Sequence, residues 1–333
     1  METYKFSWAN LFGHASTVKQ LRTTLAEENF PHAVIFSGDE GIGKRLAAQI
    51  CATVLLCEHP VDGEPCGTCD GCRLMAAGTH PDFNVVEPEE TKATRNIKIG
   101  QIRELQSQVA LSPLNSSRRV AIIDGAELML TAAANSLLKT IEEPPSPTIF
   151  ILLTANRSSL LMTIRSRCTT VNFNKLSADE IRDELIRTGT DEATAQNLSI
   201  IAGGSFGRAL NLKDSGGVEL REQALSTLEK ISRNQFTSED IFTLSAQIDK
   251  WPRDKFADFL THVQKLLRDA CLSDVATPLN PDLSERVSQL QLSESKILSL
   301  IETGVTFRKR LKSNAGLRLL AEAYLFRLRE LSR

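Results

Sequence analysis

Four cysteines crowd into one short stretch of the chain, with the spacing Cys57-x8-Cys66-x2-Cys69-x2-Cys72. Four thiolates complete the tetrahedral shell that a structural zinc ion prefers, and the glycines between them permit tight turns. A closed shell leaves no coordination position for a substrate. The spacing therefore predicts a structural zinc site over residues 57–72 rather than a catalytic one.

A glycine-rich loop is the second candidate site. The apolar run Ala33–Ser37 leads directly into the loop and then into an apolar helix, which is the order that phosphate-binding loops require. Glycines let backbone N–H groups converge on phosphate oxygens, and a lysine at the start of the helix reaches the outer phosphates. The candidate nucleotide-binding residues here are Gly38, Gly41, Gly43 and Lys44.

The residue after Lys44 departs from that pattern. A serine or threonine hydroxyl is expected there as a magnesium ligand, but the sequence has Arg45, a cation that repels the metal. Asp124, which ends a second apolar run, is the candidate carboxylate for the metal's water shell. The loop therefore either binds ATP or ADP weakly without hydrolysis or only joins a strand to a helix.

The elements around these residues predict an α/β domain followed by helices. From His32 to Phe173, short β-rich runs alternate with amphipathic helical stretches, as in a parallel sheet that is covered on both faces. The predicted strands are Ala33–Ser37, Phe83–Glu87, Arg119–Asp124, Thr148–Leu153 and Thr169–Phe173.

The strand signal disappears after Asn174. Residues 176–212 resemble a small helical cluster, and long helices follow a polar, glycine-containing stretch around residues 213–217. We expect an α/β domain over 1–173, a helical lid over 174–214 and an all-helical domain over 215–333. The last predicted helix, 314–331, has an apolar stripe that is broad enough for a core or for packing on another subunit.

Composition excludes some classes of protein. The 333 residues include 39 basic and 41 acidic side chains, so no global positive field favours binding to nucleic acid. No apolar run approaches the roughly 20 residues of a membrane helix, and the first residues lack the order of a secretory signal. The expected location is the cytoplasm.

Two further segments carry a family resemblance. The segment Asn135–Pro145, NSLLKTIEEPP, and the triplet Ser166-Arg167-Cys168 resemble a pair of motifs shared by the clamp-loader subunits of the AAA+ family. Segments 32–36, 78–82 and 204–210 extend the resemblance to about two thirds of the chain. It implies an AAA+ phosphate-loop domain with a zinc insertion, a small lid and a C-terminal collar domain.

The resemblance also implies roles for single residues. Arg167 matches the arginine finger, which is inserted into the ATP site of the adjacent subunit, whereas Arg165 beside it does not. A guanidinium is permanently charged and forks toward phosphate oxygens, so it suits that task. Arg208 matches a lid arginine that senses the chain's own nucleotide, and Asn156 lies near the position of a polar sensor residue.

In AAA+ ATPases a glutamate that activates water follows the metal-binding aspartate. Here that position is Gly125, and we expect Glu127, two residues further on, to point elsewhere. The resemblance therefore implies a subunit without ATPase activity of its own, which acts as a stator and lends Arg167 to a neighbour. The implied partners are gamma/tau and delta subunits in a hetero-pentameric clamp loader and, through the complex, the sliding clamp and primer-template DNA.

Two alternatives belong to other functional classes. The first is an active, gamma/tau-like clamp-loader ATPase, against which Arg45 and Gly125 argue. The second is a zinc-dependent DNA-binding module built on the cysteine cluster. Acidic residues dominate around that cluster and would repel phosphates: Glu58, Asp62, Glu64 and Asp70.

Overall fold

The computed structural model describes residues 4–90, 95–144, 147–214, 217–272, 278–311 and 315–332. The chain divides into two compact units, Met1–Gly189 with Gly204–Arg208, and Thr190–Gly203 with Ala209–Arg333. A separate lid over 174–214 remains a prediction. Pro145, the last residue of the NSLLKTIEEPP segment, lies outside the described residues.

The first unit is built on a parallel five-stranded sheet with the order β2-β5-β6-β1-β7. A two-stranded antiparallel ribbon, β3 with β4, lies outside this sheet. The strands are β1 Ala33–Ser37, β2 Phe83–Val86, β3 Glu89–Glu90, β4 Arg95–Asn96, β5 Arg119–Ile123, β6 Thr148–Thr154 and β7 Thr169–Asn172. All five predicted strands are confirmed, with ends that differ by no more than one residue.

Both faces of the sheet are covered because its central strands are apolar on both sides. In β1, Val34 and Phe36 pack into one core, whereas Ala33 and Ile35 pack into the other. The alternation follows from the two-residue period of a strand. The helices of this unit are α1 Ala15–Ala26, α2 Lys44–Leu56, α3 Asp70–Ala77, α4 Ile99–Val109, α5 Thr131–Glu142, α6 Met162–Arg165 and α7 Ala178–Arg187.

A buried ion pair fixes the loop between α4 and β5. The Asp82 carboxylate, which is fully buried, accepts hydrogen bonds from the backbone N–H groups of Leu114, Asn115 and Ser116 at 2.8–2.9 Å. The Arg119 guanidinium lies 3.6 Å from the same carboxylate and donates to three backbone carbonyls of the surrounding segments. Two distant parts of the chain are thereby held together at the edge of the sheet.

Among its described residues, the second unit contains helices joined by loops and no β-strand. Helix α9, Phe206–Asp214, contributes residues to both units. The remaining helices are α8 Glu192–Ile201, α9 Phe206–Asp214, α10 Gly217–Ser232, α11 Ser238–Ile248, α12 Arg253–Cys271, α13 Ser284–Ser288, α14 Glu294–Arg310 and α15 Leu317–Ser332.

The apolar stripe of the last helix packs inside its own unit. Leu320, Tyr324 and Leu328 are buried in a core that also contains Phe256 and Phe259, and their helix packs chiefly on α11 and α14. Of the two roles left open for the stripe, the internal core therefore accounts for most of it. No described helix has the length and apolar character that crossing a bilayer requires.

Candidate functional site

The phosphate loop connects β1 to α2, as predicted, and its glycines have conformations that side chains rarely adopt. Gly41 and Gly43 have φ values of +74° and +102°. Lys44, the first residue of α2, is buried and its ammonium group donates to the carbonyls of Gly38 at 2.5 Å and Asp39 at 2.6 Å. Burial lowers the pKa of Lys44, and nearby carboxylates, led by Glu127 and Asp124, oppose that shift.

The start of α9 packs directly on this loop. Ser205 Oγ donates to the Glu40 carbonyl at 2.7 Å, and the Gly207 N–H donates to the Gly41 carbonyl at 2.8 Å. A Cβ added to Gly207 would lie 2.8 Å from Gly41 Cα, so the close approach requires a glycine there. The loop's lysine and several of its backbone groups therefore already have partners within the chain, and a phosphate would have to displace them.

Arg45 lies where the metal ligand was expected and supplies a positive charge of its own. Its guanidinium pairs with Asp124 at 3.2 Å and with Glu87 at a shorter distance. Asp124 is thus engaged by a cation of the protein instead of being left available for a magnesium shell. Without Ser or Thr, no hydroxyl group is present at this position to bind the metal.

Gly125 cannot readily be replaced by the glutamate of active ATPases. Its φ is +69°, and an added Cβ would lie 3.2 Å from side-chain atoms of Pro88 and Leu128. Glu127 binds the end of β6 instead, where its Oε1 accepts the N–H of Ala155 at 2.9 Å.

The two expected sensor residues make fewer side-chain contacts than Lys44 and Arg45 do. Asn156 follows β6 and is exposed, and its Oδ1 accepts hydrogen bonds from the N–H and hydroxyl of Ser158. Arg208 is half-buried, with its backbone N–H donating to Ser205 Oγ at 3.2 Å. Its guanidinium has no hydrogen bond or ion pair to another residue in the described segments. Both sensor roles stay predictions.

Arg167 lies at the surface between α6 and β7. Its Nη1 donates to the Thr163 carbonyl at 3.0 Å, and its Nε forms a short ion pair with Glu142 at the end of α5. The neighbouring Arg165 is more buried than Arg167. The fold thus brings the NSLLKTIEEPP segment and the Ser-Arg-Cys triplet together, a contact that sequence reasoning did not predict.

The four predicted metal ligands converge. Their sulfur atoms all lie within 4.8 Å of one another, with Cys57 to Cys69 at 3.8 Å and Cys66 to Cys72 at 3.9 Å. Tetrahedral coordination with metal–sulfur bonds of about 2.3 Å places sulfurs about 3.8 Å apart. The cluster can therefore hold a metal ion.

The N-terminal segment docks on this cluster. Trp8 is buried, and its indole N–H donates to the Gly63 carbonyl at 2.7 Å. The Tyr4 hydroxyl donates to the Cys72 carbonyl at 2.6 Å, and Ser7 bonds to Glu64. The turn that holds the cysteines is thus the support on which the first described residues fold.

The comparisons with known proteins agree with this arrangement. Residues 13–177 match the family model described as DNA polymerase III, delta subunit. The DNA polymerase III subunit delta-prime of Pseudomonas aeruginosa is 37% identical over 209 residues, 62% of this chain and 63% of that protein. The match thus covers slightly less than two thirds of that relative's length.

A solved structure supports the AAA+ fold. A gamma subunit-related protein of DNA polymerase III from Thermotoga maritima has a TM-score of 0.51 at 20% identity, covering 96% of this chain and 100% of that chain.

The delta-prime subunit of Escherichia coli is 30% identical over 294 residues, 86% of this chain and 84% of that protein. Because that similarity extends over most of both sequences, the chain belongs to the family of DNA polymerase III delta-prime subunits of the clamp loader.

Proposed function

We propose that this chain is the non-hydrolytic stator of a bacterial clamp loader and that it lends Arg167 to the ATP site of an adjacent gamma/tau subunit. The observation that carries the proposal is the contrast between two arginines. Both side chains are about half exposed, but Arg45 pairs with Asp124 at the chain's own metal position, whereas Arg167 lies outside that site and pairs with Glu142.

The chemistry assigned to Arg167 is electrostatic. Negative charge spreads over the oxygens of the γ-phosphate as it is transferred, and a guanidinium from the neighbouring subunit stabilises that charge. The same contact requires ATP and the subunit interface to be in place together. The finger would therefore couple hydrolysis by the partner to correct assembly.

The proposed assembly is a cytoplasmic hetero-pentamer with gamma/tau and delta subunits, which loads the sliding clamp on primer-template DNA. The cysteine cluster is proposed to bind a structural zinc ion, held by Cys57, Cys66, Cys69 and Cys72. Zinc would supply the cross-link between these turns and no chemistry on ATP. The acidic surroundings of the cluster argue against direct DNA binding there.

The purified chain alone is expected to hydrolyse no ATP above background. Arg45 occupies the metal position and Gly125 provides no base, so two separate requirements of phosphoryl transfer are missing. A phosphate-release assay of the wild type and Lys44→Ala decides, since steady turnover that Lys44→Ala abolishes would support the active gamma/tau-like alternative.

Replacing Arg167 tests the proposal directly. In a reconstituted loader, Arg167→Ala should reduce turnover at the adjacent ATP site at least tenfold, because the transition-state charge loses its partner. The steady-state ATP hydrolysis of the whole loader then falls by the fraction that the adjacent site contributes, while the loader still assembles. Rapid phosphate-release measurements with clamp and primed DNA provide the readout, and Arg165→Ala is the matched control. Unchanged turnover would remove the finger from this account.

A further inference from the structure

The guanidinium group of Arg167 is held through two of its three nitrogen atoms. Glu142 engages its Nε, while Nη1 donates to the Thr163 carbonyl at 3.0 Å and to Ser166 Oγ at 3.3 Å. Nη2 has no partner among the residues that the structure describes. Because a guanidinium is planar, fixing Nε and Nη1 also fixes the direction in which Nη2 points.

The position of Glu142 is unfavourable for its own helix. It is the last residue of α5, where the helix dipole disfavours a negative charge. The compensating cation is Arg167, and both side chains are about 40% exposed. At that exposure an ion pair contributes little to stability, so stability alone gives no reason for an acidic residue here.

We infer that Glu142 is a positioning residue for Arg167. It holds Nε so that the outer edge of the guanidinium, Nη2, faces the neighbouring subunit before ATP arrives there. This inference rests on the proposed function of Arg167. Glu142 does not itself touch nucleotide and acts only through the arginine, by reducing the number of orientations that the arginine must give up when it engages the phosphate.

The inference also gives the NSLLKTIEEPP segment a role toward the Ser-Arg-Cys triplet. The segment forms the C-terminal part of α5, a helix that packs on α4 and α6 and has Glu142 as its last residue. Glu143, the next residue, is exposed and has no ion pair to another described residue. Two adjacent glutamates therefore differ in their contact with Arg167, and they form a matched pair for experiment.

The test compares Glu142→Ala with Glu143→Ala in the reconstituted loader. We expect Glu142→Ala to reduce turnover at the adjacent site about five- to tenfold while leaving the KM for ATP within twofold, because the finger acts in the transition state. Glu142→Gln, whose amide oxygen can still accept from Nε, should recover part of the rate. Glu143→Ala should have the turnover of the wild type. All three variants should assemble into the loader and have the melting temperature of the wild type.

A double-variant cycle separates positioning from an independent effect. Glu142→Ala combined with Arg167→Ala should be no slower than Arg167→Ala alone, since Glu142 has nothing left to position. Additive losses, a rise in turnover with Glu142→Ala, or equal losses for Glu143→Ala would each overturn the inference. If Arg167→Ala slows turnover and Glu142→Ala does not, the positioning role fails while the finger stands; if Arg167→Ala has no effect, the proposed function itself fails.

Discussion

Removal of the proposed zinc ion from the cysteine cluster is expected to release the N-terminal segment and to lower the melting temperature by roughly 6–12 °C. Structural zinc contributes on the order of 10 kcal/mol to the folding of an isolated zinc module. In a larger domain we expect about 3 kcal/mol of that to appear as lost global stability, with the remainder confined to local unfolding. The cluster supports Trp8 and Tyr4 directly, so these residues should respond first.

Trp8 provides a local probe of this release. The sequence has two tryptophans, and Trp251→Phe leaves Trp8 as the only one, which is excited selectively over tyrosine at long wavelength. Chelation should shift the Trp8 emission to longer wavelength as its buried indole becomes hydrated, and re-addition of zinc should reverse the shift. Released metal is measured in the same sample with a colorimetric indicator. Metal release without a change in emission would refute the supporting role, and four freely alkylated thiols in the folded protein as isolated would refute the zinc site itself.

The three central strands of the sheet, β1, β5 and β6, could be predicted from sequence because they are buried on both faces. A parallel strand that is buried throughout, such as β6, has an apolar interior that forms a short continuous run few other elements produce. The ribbon β3–β4 was not predicted, because its two-residue strands carry charged and polar side chains that give no period. Strand prediction was thus most direct where burial constrains composition, and it failed for the ribbon.

The site was only partly accessible to the same reasoning. The loop pattern identified Lys44 and the misplaced Arg45, because those residues are adjacent in sequence. It could not show that Arg45 pairs with Glu87 and Asp124, or that the start of α9 packs on the loop through Gly207. Those contacts join segments that are far apart in the chain. The local periodicity of a sequence does not identify which distant residues will be in contact.

The contact between Glu142 and Arg167 illustrates the same limit. The two residues were noted in separate motifs, and only the fold places the end of α5 beside the segment after α6. Segment 78–82 is similar, since its resemblance to the family gave no physical role to Asp82. The structure supplies one, because the buried Asp82 carboxylate binds a loop that begins about thirty residues later.

Replacement of Asp82 by asparagine should lower the free energy of unfolding by about 3–5 kcal/mol. The amide keeps one oxygen acceptor, but its NH2 group faces backbone N–H donors that had bonded to a carboxylate oxygen. The buried Arg119 charge also loses its counter-ion. Urea denaturation provides the measurement. Asp183→Asn, at an exposed position on α7, is the control and should change stability by less than about 0.5 kcal/mol.

The dependence of this loss on pH identifies its electrostatic part. Burial alone would raise the pKa of Asp82, but the three backbone N–H donors and Arg119 lower it below the ordinary value of about 3.9. On acidification the unfolded chain therefore binds the proton first. The stabilisation that the ionised Asp82 gives to the folded state is complete above about pH 4. It disappears as the pH falls through the lower pKa that Asp82 has in the folded state. The stability difference between the wild type and Asp82→Asn should consequently narrow below about pH 4, whereas a difference that stays constant with pH would mean that packing, and not the charge, holds the loop.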